Sequence, residues 1–116
     1  MPGVPAAGND MQPGELLTAN SSIMSISGRF RLTYQDDGNL VLYRAGRAMW
    51  SSKTGGHPGA VTQMQKDGNL VVYLGTTPLW DSETGKNPGA RLEVQNDGNV
   101  VIYDGSRPLW STETGS

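Results

Sequence analysis

Apolar and polar residues alternate over short stretches of this chain, and no stretch holds the period of an amphipathic helix. A short alternating run such as Val61 to Met64 is followed, after a turn, by a β-rich run from Leu70 to Tyr73. The same β-rich run stands at Leu40 to Tyr43 and at Val100 to Tyr103. Asp37-Gly38, Asp67-Gly68 and Asp97-Gly98 precede these runs and are strong hairpin signals. A second turn, carrying Gly46, Gly75 or Gly105, leads into a short segment that ends in Trp50, Trp80 or Trp110. "TGGHPG" and "TGKNPG" read as loops. The pattern predicts an all-β chain of short hairpins. Upstream, "GELLTANSSIMSISG" has strand-like stretches that supply the strands starting the fold.

These elements recur every 30 residues without insertion or deletion, at Gln35, Gln65 and Gln95, at Tyr43, Tyr73 and Tyr103, and at the three tryptophans. Such a unit is shorter than a propeller blade, which needs ~40 residues. Three sheets around a pseudo-threefold axis suit it better, with the tryptophans at the axis. Large aromatics dominate small cores, so Trp50, Trp80 and Trp110 are expected to be buried there; a sugar-stacking platform is the alternative. The whole of residues 1–116 reads as a single domain, with 1–13 as a flexible or peripheral N-terminal segment.

Composition narrows the functions. The net charge is −2 and no basic run occurs, which argues against nucleic acid. There are no cysteines, so disulfides, thiol catalysis and Cys-ligated zinc are excluded. The single histidine, His57, leaves no cluster for a metal or a proton relay and reads as a loop residue. No window approaches the ~20 apolar residues of a membrane helix. The opening "MPGVPAAGND" lacks the basic start and apolar stretch of a signal peptide. The expectation is a cytoplasmic protein, or one released without a conventional leader; secretion with the leader removed is the alternative.

The polar residues of the repeat carry the chemistry. In the middle unit Asn69, Val71 and Tyr73 share one strand face, while Leu70 and Val72 point to the core. A hairpin brings Gln65 and Asp67 beside Asn69. Carboxylate, amides and phenol together offer both donors and acceptors, as a neutral, hydroxyl-rich ligand requires. The valine can meet the C–H face of a sugar ring. Glycoside hydrolysis needs two carboxylates about one bond, and the recurring positions supply one per unit. The spaced oxygens of a calcium loop are absent, so no cofactor or metal is expected. Asp-Gly alone could build turns, but turn-building leaves Gln, Asn and Tyr in all three units unexplained.

"QDDGNLVLY", "QKDGNLVVY" and "QNDGNVVIY" resemble the signature of the bulb-type, monocot mannose-binding lectins, Gln-x-Asp-x-Asn-x-Val-x-Tyr. The resemblance extends roughly from Gly14 to Gly115. It implies a β-prism II fold of three four-stranded antiparallel sheets, and metal-independent, non-catalytic binding of mannose and mannose-rich glycans. It further implies that Asp37 and Asn39 contact the axial 2-hydroxyl, Gln35 the 3-hydroxyl and Tyr43 the 4-hydroxyl, with Val41 against the ring carbons. The same roles fall to Gln65, Asp67, Asn69, Val71 and Tyr73, and to Gln95, Asp97, Asn99, Val101 and Tyr103. Where plant members carry a disulfide, this chain has Gly38 and Ala60. The resemblance also implies a homodimer formed by exchange of the C-terminal strand. Two other classes compete with a lectin: a mannoside-cleaving enzyme, which needs a second carboxylate near Asp37, Asp67 or Asp97, and a protein-binding scaffold, which needs apolar outer faces.

Overall fold

The computed structural model describes residues 4–115, which form thirteen strands and no helix. The N-terminal stretch gives β1 (Val4–Pro5), β2 (Asp10–Met11), β3 (Glu15–Leu17) and β4 (Ser21–Met24). The first repeat gives β5 (Phe30–Tyr34), β6 (Leu40–Arg44) and β7 (Arg47–Ser51). The second gives β8 (Val61–Met64), β9 (Leu70–Leu74) and β10 (Thr77–Asp81), and the third β11 (Arg91–Val94), β12 (Val100–Asp104) and β13 (Arg107–Ser111).

Each repeat is a three-stranded antiparallel meander that lacks a fourth strand. The N-terminal stretch deals one to each: β4 pairs with β5, β3 with β8, and β2 with β11. The result is the three-sheet β-prism II arrangement. One sheet departs from the expected four strands, because β1 adds to β3 in parallel and makes a fifth.

This dealing-out corrects the expectation that residues 1–13 are flexible or peripheral. Residues 1–3 lie outside the described residues, but Asp10 and Met11 pair with Glu93 and Leu92 in the third sheet. The physical reason is burial. Met11, Leu17 and Ile23, one from each added strand, are at most 1 % exposed. Burying a side chain of this size contributes about 1.5–3 kcal/mol, which outweighs the weak propensity of strands two to four residues long.

The inner faces follow the alternation. Leu40, Leu42, Leu70, Val72, Val100 and Ile102 all enter one continuous core. Trp50, Trp80 and Trp110 meet pairwise edge-to-face, with ring centroids 5.5 Å apart in every pair, as a threefold axis requires. They are half-buried rather than buried, which corrects the expectation. They sit on β7, β10 and β13, the edge strands of their sheets, so packing covers them incompletely.

Tyr34, at the end of β5, is fully buried, and its hydroxyl has no hydrogen-bond partner among the described residues. Burial, with a smaller contribution from the charge of Asp37, pushes this phenol from 10.0 up to about 12. The fold therefore favours the neutral form. That stabilisation is complete below pH 10 and is lost as pH rises through 12. Tyr34→Phe removes an unpaired buried hydroxyl and should be neutral or stabilising at pH 7. Chemical denaturation from pH 8 to 12 should show the wild type losing stability faster than the variant; parallel curves would refute this.

Candidate functional site

The turn before each β-rich strand is built the same way three times. The Gln65 amide donates to the Asn69 carbonyl and the Gly68 amide to the Gln65 carbonyl, enclosing a three-residue loop. Gly68 has φ +96° and lies against the next linker: a Cβ there would sit 2.3 Å from the Asn87 carbonyl oxygen. Asn87 holds the turn from outside, donating its backbone N–H to the Asp67 carbonyl at 3.0 Å. His57 does the same for Asp37 at 2.9 Å, so the histidine is a loop residue with a supporting role. The disulfide position of the plant proteins falls in this joint. Gly38 is pressed against the His57 backbone, and the Ala60 amide donates to the His57 carbonyl at 3.3 Å.

On this frame the structure brings together all five predicted residues of each motif. An Asp67 carboxylate oxygen accepts the Asn69 backbone N–H at 3.0 Å, and Asp37 and Asp97 do the same for Asn39 and Asn99 at 2.9 Å. Gln65 Nε2 donates to the Tyr73 hydroxyl at 2.5 Å and Gln95 Nε2 to Tyr103 at 2.6 Å; Gln35 pairs with Tyr43 in the same way. Each phenol oxygen accepts within the protein, which leaves its own O–H to be donated outward. Val41, Val71 and Val101 form the floors but are only 3 %, 2 % and 4 % exposed, so a ligand meets little apolar surface on them.

The asparagines are oriented by residues that sequence reasoning missed. Asn69 Oδ1 accepts from Ser82 Oγ at 3.1 Å and from the Thr84 backbone N–H at 3.2 Å. Ser52 and Thr54 act likewise on Asn39, and Thr112 and Thr114 on Asn99. A backbone N–H can only donate, so the amide carbonyl must face inward and Nδ2 outward. The signal was a pair of hydroxyl residues two apart after every tryptophan, in "SSKTG", "DSETG" and "STETG".

Each pocket thus presents a carboxylate oxygen, an amide Nδ2, a glutamine amide and a phenol O–H in one small area, a set matched to vicinal hydroxyls. Asp81 changes the middle pocket. Its Oδ2 accepts from Asn69 Nδ2 at 2.8 Å, placing a second carboxylate on the asparagine whose backbone N–H Asp67 accepts. The recurring positions supply one carboxylate per unit, and Asp81 lies outside them, with Ser51 and Ser111 at its place in the other units. Both carboxylates are engaged by the same asparagine rather than held apart about an open bond. Among the described residues, no three His, Asp or Glu side chains converge as metal ligands.

No protein-family model and no curated protein matches the chain. Solved structures do. A monomeric monocot mannose-binding lectin from Gastrodia elata is 38 % identical, over 93 % of this chain and 99 % of that one, with a TM-score of 0.86. The mannose-specific agglutinin from snowdrop (Galanthus nivalis) bulbs, complexed with methyl-α-D-mannoside, is 38 % identical over 93 % of this chain and 98 % of that one, with a TM-score of 0.76. The Polygonatum cyrtonema lectin, complexed with a monomannoside, is 33 % identical over 92 % and 97 %, with a TM-score of 0.75.

Proposed function

We infer the function from the family to which this chain belongs, the bulb-type mannose-binding lectins: it is a non-catalytic carbohydrate-binding protein for mannose and mannose-rich glycans. The reading assigns one mannose pocket to each motif: Gln35, Asp37, Asn39, Val41 and Tyr43; Gln65, Asp67, Asn69, Val71 and Tyr73; Gln95, Asp97, Asn99, Val101 and Tyr103. The observation that carries it is the triplicate clamp on the asparagine carbonyl, which turns Nδ2 outward beside a carboxylate in every repeat. Donor and acceptor side by side suit an axial 2-hydroxyl, which both donates and accepts. An equatorial epimer leaves them unpaired, and unpaired polar groups are costly. Each hydrogen bond competes with water and contributes only ~0.5–1.5 kcal/mol net. A single mannose is therefore expected to bind on the order of millimolar, about −4 kcal/mol. Calorimetric titration with methyl mannoside against methyl glucoside tests this: equal affinity for the two would overturn it.

A homodimer by exchange of the C-terminal strand is the second part of the proposal. β13 is the edge strand of its sheet and pairs with β12 of its own chain. The same hydrogen bonds can form with β12 of a second copy, and exchange would hide sheet edges. Sedimentation at rising concentration should show a dimer. A monomer at every concentration, the state named for the Gastrodia lectins, would rule exchange out.

A further inference from the structure

The three pockets share their motif, but the strand beside it differs. Val71 faces Asp81 across β9 and β10, whereas Val41 faces Ser51 and Val101 faces Ser111. Asp81 lines a depression of about 360 Å³ together with Asn69, Val71, Tyr73 and Leu79. Its Oδ2 already takes one N–H of Asn69 Nδ2 at 2.8 Å. Asn69 Oδ1 is saturated by Ser82 and Thr84. Asn39 and Asn99 have no such acceptor at Nδ2 among the described residues, so both their N–H groups remain for ligand. Lys66, the cation of the same turn, lies against Gly14 and lines the neighbouring depression, as Gln65 and Asp67 do, while Asn69 stands between that depression and Asp81.

We propose that Asp81 is a specificity-determining residue that makes the second pocket unlike the other two, turning it away from neutral mannose and toward sugars with an ammonium at the 2-position. The inference rests on the mannose reading of the motif, in which the 2-substituent sits between the Asp and Asn side chains. A hydroxyl there has one hydrogen for two carboxylates, Asp67 and Asp81, and finds one free N–H on Asn69 where Asn39 and Asn99 offer two. Sugar binding also strips water from the second carboxylate, which costs free energy unless a partner replaces it. An ammonium group has three donors and a positive charge. It can donate to Asp67 and Asp81 together without needing the Asn69 N–H, and charge-assisted bonds of this kind are about twice as strong as neutral ones. In the first and third pockets the same ammonium would face an uncommitted amide donor; the third pocket's own extra carboxylate, Glu93, is engaged by Gln95 Nε2 at 3.4 Å and Arg91 at 3.7 Å and not by Asn99.

The experiment is an NMR titration of the full chain, read at the backbone amides of each motif so that the pockets report separately. The ligands are methyl α-mannoside and methyl 2-amino-2-deoxy-α-mannoside in its ammonium form. In the wild type, methyl mannoside should bind the second motif roughly 2- to 12-fold more weakly than the others, the equivalent of one hydrogen bond. The amino sugar should reverse that order. Asp81→Ser, which installs the residue found at Ser51 and Ser111, should make the three pockets equal for methyl mannoside and remove the preference for the amino sugar. Asp81→Asn keeps an acceptor for Asn69 without the charge; it should retain the weaker mannoside binding and lose the amino-sugar preference. Equal pockets in the wild type, or an amino-sugar order unmoved by Asp81→Asn, would overturn the proposal. Methyl mannoside binding at the first and third motifs tests the mannose reading itself, so failure of that reading is distinguishable from failure of this one.

Discussion

Trp80→Ala is expected to cost about 3–5 kcal/mol, the range for removing a large aromatic from a core. The half-buried state of the ring does not spare it. Each tryptophan packs edge-to-face on two others at 5.5 Å, and aromatic pairs of this kind contribute ~0.5–1.5 kcal/mol beyond the area they bury. The three sheets meet through this cluster, so the loss falls on the joint between repeats rather than on one of them. A domain of this size has only ~5–15 kcal/mol in all. Denaturant unfolding should therefore show a large drop in midpoint, and the same for Trp50→Ala and Trp110→Ala. A variant that kept its stability but lost sugar binding would instead support the tryptophans as a stacking platform.

Disabling two pockets at once should abolish cross-linking by a monomer and sharply reduce it in a dimer. Asn39→Asp with Asn99→Asp replaces the outward donor Nδ2 with an acceptor beside Asp37 and Asp97. The inward carbonyl role survives, because a carboxylate oxygen can still accept from Thr54 and Thr114. The motifs lie on three different sheets set about one axis, so pockets there would engage separate glycans. In a monomer one intact pocket cannot join anything; an exchanged dimer would keep two, one per chain, in place of six. Avidity from simultaneous engagement amounts to ~10²–10⁴ over single-site affinity, and binding to a mannan-coated surface should fall by that order. Binding of free methyl mannoside at the remaining motif should persist. Undiminished mannan binding by the double variant would show that the motifs do not carry the function.

The repeats were legible because each feature needed a particular residue at a fixed place. Gly68 must be glycine where a Cβ would strike a carbonyl, and Asp67 caps its own turn through Asn69 N–H. Such local demands leave a signature at short spacing. Of the added N-terminal strands, β3 and β4 fall in the stretch that reads as strand-like, but β2 leaves no signature: two residues show no period, and Met11 has no apolar neighbour to mark it as core. The asparagine clamps were hidden for another reason. Ser82 and Thr84 act on Asn69 from 13 and 15 residues away, across a strand pairing the motif does not encode. Asp81 was obscured by the repetition itself. Serine stands at its place in the other two units, so a pattern built on what recurs passed over it.

All three motifs are expected to bind sugar. The decisive measurement is an NMR titration of the unmodified chain with methyl α-mannoside, with methyl α-glucoside as the control. The backbone amides of Asn39, Asn69 and Asn99, each next to its own carboxylate, serve as reporters. Saturable shifts at all three with mannoside, and none with glucoside at the same concentration, are the predicted result. Shifts confined to one motif, or to none, would contradict the claim and leave the other repeats as turn architecture alone.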